Sequence, residues 1–332
     1  MRSSWLFVIG IALGALFLWL ALRATDLAAI SRAFGNANLL WSAPLLISFA
    51  ATMIVKAMRW RILLRPEIAL RSRQLLPAIL IGYAGIALLP LQLGEVVRVY
   101  VAARNTGARV GALLGSIVLE RVLDLLVVML ALALALTAGA ALHSSLIPAG
   151  YTLASAVVIA FVALAILARR GDWAMRLSDR LTRNASAHFA TRLRTFIDHA
   201  RQGVAALGQP IILSASILLS VLMWLGIGGC VYASLAAVGL SPSPAAVSMT
   251  IVCTVLAMSL PATPGYVGTI QAAYVLALTP FGYDPSQVFA ASVIYHALIY
   301  AASLLAGFFY LRHAGLSVAQ LRGSVATGRP ID

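Results

Sequence analysis

Apolar segments long enough to cross a bilayer recur from one end of this chain to the other, and that recurrence leaves little choice of fold. A helical span needs about 20 residues. Candidates lie at 5–22, 38–58, 110–139, 151–168, 210–238 and 287–311. Hydrocarbon offers no hydrogen bonds, so a crossing segment must satisfy its own backbone and becomes a helix. Composition agrees: 62% hydrophobic and 10% charged residues in 332 lie outside the range of soluble globular domains. The expected fold is an all-α polytopic membrane protein, one transmembrane domain over 1–332 without a separate soluble catalytic domain.

The basic residues orient it. The net charge of +14 is mostly arginine, concentrated at segment ends and in one central loop. A cluster after the second span, Lys56, Arg59, Arg61, Arg65, Arg71 and Arg73, reads as cytoplasmic by the positive-inside rule. Arg2 then places the N-terminus inside, and Arg312, His313, Arg322 and Arg329 do the same for the C-terminus. The first segment reads as a retained helix, because Leu22 and Ala24 give no small-x-small cleavage site before Thr25. The loop 169–208 holds eight arginines against three aspartates, with apolar residues at steps of three and four. It is expected to be a cytoplasmic amphipathic segment, on the inner leaflet or on the protein's own underside. No basic stripe with interleaved aromatics supports a nucleic-acid partner. Cys230 and Cys253 lie in apolar segments without metal-site or disulfide spacing.

Two apolar stretches are broken. The first, 74–106, carries Pro77, Gly82, Gly85, Pro90 and Gly94, and the second, 245–280, carries Pro261, Pro264, Gly265 and Gly268. Each reads as a re-entrant helical hairpin, with Pro90, Gly94 and Pro261 at the hinges and a helix starting near Gly265. The chain then parses as span, span, broken hairpin, span over 1–140 and the same over 146–311, six full spans plus two hairpins. Three crossings per half invert the second half relative to the first, the architecture of many secondary transporters.

Three of the ten acidic residues, Glu95, Glu120 and Asp124, sit in this greasy sequence beside Arg98 and Arg121. Ionisable groups within a membrane are costly and mark pathways or relays. Ser116, Glu120 and Asp124 are four apart and share one helix face, Arg121 reaches Asp124 at three, and Glu95 and Arg98 are three apart. Two carboxylates one turn apart do not both ionise cheaply, so one holds a proton unless Arg98 or Arg121 neutralises the pair. These five groups are expected to meet in one cavity, as a site or as a structural salt-bridge network. The second hairpin supplies an opposite wall of Pro264, Gly265, Gly268 and Gln271, with freed N–H groups suited to an anion, and His296 lies in the last span. Without a metal-ligand cluster, nucleophile elbow, phosphate loop or dinucleotide fingerprint, no metal, cofactor or enzymatic activity is expected.

The segments G-E-V-V-R at 94–98, E-R-V-L-D at 120–124 and P-A-T-P-G-Y-V-G-T-I-Q at 261–271 resemble the transmembrane, flippase-like region of lysylphosphatidylglycerol synthases and multiple peptide resistance factors. The resemblance covers nearly the whole chain. It implies a stand-alone member without the aminoacyl-transferase domain, acting as a lipid translocase of the bacterial inner membrane. Implied partners are membrane lipids, anionic or aminoacylated phospholipids, and a separate lipid-modifying enzyme, with an oligomer left open. Where the family pattern commonly has a glycine and an acidic residue, this chain has Tyr266 and Gln271, which implies a headgroup preference different from that for a cationic lipid. Two other functions fit the residues: a non-transporting scaffold for a lipid-modifying enzyme, and a proton-coupled small-solute transporter.

Overall fold

A computed structural model describes residues 2–66, 68–89, 93–137, 209–259 and 264–315, with single positions at 155, 159, 179, 180, 191 and 320. Nearly all of the expected span 151–168 and of the loop 169–208, and the hinge prolines Pro90 and Pro261, lie outside the described residues. Within them the fold is all-helical: α1 (Arg2–Leu22), α2 (Leu27–Gly35), α3 (Ser42–Leu64), α4 (Ser72–Leu88), α5 (Leu93–Thr106), α6 (Val110–Thr137), α7 (Pro210–Ala237), α8 (Pro244–Met258), α9 (Thr269–Leu278) and α10 (Pro285–His313).

Local chemistry sets several starts. Asp26 accepts from the Ala28 N–H at 2.9 Å and opens α2. Ser243 caps α8 ahead of Pro244 at the first helical position, and Asp284 accepts from Ser286 and Gln287 ahead of Pro285 in α10. Capping oxygens satisfy amides that the helix leaves unpaired, and proline has none to lose there.

Among the described residues three helices are long and apolar enough to cross a membrane: α3 with its lead-in from Leu39, α7 and α10. The described part of α1 with α2, bent by 85°, makes a fourth if the pair is one broken span. Helix α6 has the length, 28 residues, but carries Glu120, Arg121 and Asp124. The outer surface exposes large apolar side chains, among them Leu130 at 63%, Leu225 at 65% and Leu305 at 74%. Such apolar cover is foreign to a soluble surface and natural in lipid.

The structure corrects the sequence at four places. The stretch 23–37, left between the candidate spans 5–22 and 38–58, holds the amphipathic α2, whose Ile30 and Ala33 are buried. Helix α3 continues past Met58 to Leu64, so Lys56 and Arg59 are buried within it and do not belong to the exposed basic cluster. Pro77, Gly82 and Gly85 do not interrupt α4. Helix α9 starts at Thr269, with Gly268 as its cap, while Pro264–Tyr266 forms a 3-10 turn.

The glycines of the first hairpin serve close packing. A Cβ at Gly85 would meet the Gly94 Cα at 2.9 Å, and one at Gly94 would strike the Gly82 carbonyl oxygen and the Ile86 nitrogen. Gly94→Ala therefore sets a methyl against backbone that cannot rotate away. The expected loss is about 1–3 kcal/mol, the range for overpacking, read as a lower unfolding midpoint in detergent. An unchanged midpoint would mean that α4 and α5 do not touch there. Small residues also join α3 to α7, where a Cβ at Gly229 would lie 2.6 Å from the Ser48 Oγ, as expected between helices in lipid. One core gathers Leu45, Trp60, Ile79 and Val101 from α3 to α5, and a second gathers Leu235, Tyr274, Leu278 and Ala290 from α7 to α10.

Candidate functional site

Helices α3, α5 and α6 converge on a closed ring of alternating charge. Arg98 Nε lies 2.9 Å from Glu95 Oε2, and its Nη2 meets Glu120. Glu120 Oε1 is 3.8 Å from Arg59 Nη2, and Arg59 Nη1 lies 2.5 Å from Asp124. Asp124 Oδ2 is 3.9 Å from Arg121 Nη1, and Arg121 Nη2 returns to Glu95 at 2.7 Å. Three carboxylates and three guanidiniums thus neutralise one another around the circuit. Spacing makes this possible: Glu95 and Arg98 are three apart on α5, Glu120 and Asp124 four apart on α6, so each pair faces one way.

Neutral donors hold the ring in place. Arg59 donates to the Ser220 hydroxyl at 2.8 Å, and the Trp224 Nε1–H donates to Asp124 at 3.3 Å. The Arg98 guanidinium lies 4.7 Å from the centre of the Trp60 ring, whose Nε1–H donates to Ser116 at 2.9 Å. Ser116 thus braces the ring through Trp60.

Beside the ring lies a cavity of about 390 Å³, bounded by α3 to α10, within the range of small-molecule pockets. Its wall is mostly apolar, with Lys56, Glu95, Arg121 and Asp124 as the charged groups and Tyr83, Tyr266, Tyr274, Tyr295 and Tyr300 as a phenolic rim. Arg59, Arg98 and Glu120 stand behind that wall, at 0–1% exposure. The five acidic and basic residues expected from the sequence thus meet in one network, of which three reach the cavity.

The second hairpin is placed differently from expectation. Gln271 accepts from the Gly268 N–H at 2.8 Å and pairs with His296 Nδ1 at 3.1 Å, so these residues tie α9 to α10 and are not among the cavity-lining residues. A Cβ at Gly268 would strike the Gly14 carbonyl oxygen of α1. Gly265 has φ +74° and packs near the Ala87 carbonyl and Tyr300. Pro264 opens the 3-10 turn. From this hairpin Ile251, Thr254, Val255, Met258 and Ser259 before the break, and Tyr266, Ile270 and Tyr274 after it, face the cavity. Tyr266 adopts φ +57°, rare for a bulky residue and costly by about 1–2 kcal/mol; the turn holds it at the wall.

Sequence reasoning missed Lys56 and Arg59. The signal was present: Ile62, Leu63 and Leu64 continue the apolar pattern beyond them, and the two are three apart on one face.

The sequence matches the family described as lysylphosphatidylglycerol synthase TM region over residues 7–307. No curated protein and no solved structure matches the chain.

Proposed function

Because the chain belongs to the lysylphosphatidylglycerol synthase TM region family, we propose that it is a lipid translocase, moving a polar-headed phospholipid between leaflets of the bacterial inner membrane with both termini in the cytoplasm. The carrying observation is the cavity with Lys56, Glu95, Arg121 and Asp124 in its wall. A headgroup crossing hydrocarbon loses its water, and fixed charges and hydroxyls at membrane depth replace part of that hydration. The 390 Å³ cavity takes the headgroup while the acyl chains stay in lipid. In this reading the chain moves its substrate and makes or breaks no bond.

An inverted repeat of two halves, 1–140 and 146–311, suits such a carrier. Reciprocal packing supports it. Helix α3 packs on its counterpart α7, the first hairpin (α4) on the last helix α10, and the second hairpin (α8) on α6, the last helix of the first half. Those are the pairs that a two-fold exchange of halves would interchange.

One observation favours a second reading. The ring is neutral and half of it is hidden from the cavity, as befits a fastener in a membrane scaffold for a lipid-modifying enzyme. A leaflet-resolved transfer assay separates the two. Purified protein in vesicles with fluorescent phosphatidylglycerol in one leaflet is expected to speed its exchange over protein-free vesicles; no acceleration would leave the scaffold.

A further inference from the structure

We infer that Lys56 is the anion-binding residue of the cavity and that its surplus charge selects a lipid headgroup of net charge −1 over zwitterionic or cationic headgroups; the choice of a lipid as occupant rests on the translocase reading. The ring accounts for three arginines and three carboxylates, and among the described residues Lys56 is the cationic cavity residue outside it. Lys56 is only 2% exposed, lines the cavity, and among the described residues has no carboxylate within ion-pair distance. Its contact is the face of Tyr83, with the ammonium 5.7 Å from the ring centre, which offsets only part of the cost of a buried charge. A buried lysine held open toward a cavity, with no counter-ion among the described residues, leaves a place for an anion from outside the chain.

The other charged groups at the wall decide what that counter-ion is. Glu95 is held by Arg98 and Arg121, and Asp124 by Arg59 and Arg121, so neither carboxylate is free for a headgroup ammonium. Arg121, 45% exposed, adds donors on the same side. A phosphodiester with an uncharged polyol meets Lys56 and leaves the cavity neutral. A headgroup amine restores the surplus, and two amines raise it. The tyrosine hydroxyls suit a polyol in that position.

The test measures binding and transfer separately. Detergent-purified full chain is titrated with short-chain phosphatidylglycerol, phosphatidylcholine and lysylphosphatidylglycerol, and with glycerol 3-phosphate as a soluble anion, for wild type, Lys56→Met and Lys56→Arg. Wild type is expected to prefer phosphatidylglycerol by at least about tenfold, Lys56→Met to lose that preference and Lys56→Arg to keep it. Equal binding of the three lipids by wild type overturns the inference without recourse to any variant, and so does undiminished preference in a folded Lys56→Met protein. Glycerol 3-phosphate binding as tightly as the lipid overturns the lipid as occupant. Lys56-dependent lipid binding without transfer in vesicles upholds the site and sinks the translocase reading.

Discussion

Arg59→Met is expected to lower the unfolding free energy by about 3–5 kcal/mol, the range for removing one partner from a buried ion pair. Arg59 is 0% exposed and is the sole link in the ring between Glu120 and Asp124, at 3.8 and 2.5 Å. Without it two carboxylates one turn apart on α6 lose the guanidinium that separates and neutralises them. Arg98 and Arg121 each remain engaged with Glu95 and cannot turn to fill the gap without opening the circuit elsewhere. Pairing Arg59→Met with Asp124→Leu removes one charge of each sign and returns the ring to neutrality. The double variant is therefore expected to be more stable than the sum of single losses allows, with a coupling of about 1–3 kcal/mol. Unfolding titrations on wild type, both singles and the double measure it; strictly additive losses would show that the ring does not act as a unit.

How much of this was legible follows from what each signal reports. A carboxylate inside an apolar run is visible to any reader of the sequence, because nothing in a bilayer explains it cheaply; Glu95, Glu120 and Asp124 stood out on that ground. Their spacing also placed them on shared helix faces, which the structure shows. Basic residues near a span's end carry a second explanation, the positive-inside rule, and that explanation captured Lys56 and Arg59 along with arginines that lie beyond the helix. Three further apolar residues, Ile62 to Leu64, distinguish the two cases. Glycine and proline proved ambiguous in the same way. Gly82 and Gly85 read as breaks, yet they are contact points for α5, since a missing side chain serves a bend and a close approach equally well. Gln271 and His296 looked like polar groups awaiting a substrate; a partner 25 residues away, invisible to local spacing, occupies each of them with the other. The bend between α1 and α2 was likewise hidden, because a nine-residue helix gives too little periodicity to declare itself.

Whether the ring fastens or serves is decided by comparing two of its arginines. Arg121→Gln is expected to slow lipid transfer in vesicles by at least about tenfold, equivalent to about 1.4 kcal/mol on the limiting barrier, while leaving the fold nearly as stable. Its side chain is 45% exposed and lines the cavity, so its ion pairs with Glu95 and Asp124 are worth less to folding than the fully enclosed pairs of Arg59 and Arg98. Each of those acids also retains another arginine, Arg98 at 2.9 Å and Arg59 at 2.5 Å. Arg98→Gln is expected to do the reverse. Arg98 is 1% exposed, enclosed by Glu95, Glu120 and the Trp60 ring, and lies behind the cavity wall, so its loss falls first on stability. A ring that only fastens would make transfer follow stability in both variants. A ring whose exposed edge handles the headgroup separates them, with transfer lost in Arg121→Gln at an unfolding midpoint close to wild type. Wild-type transfer by a folded Arg121→Gln protein would remove Arg121 from the path and leave Lys56 as the remaining cationic wall residue among the described ones.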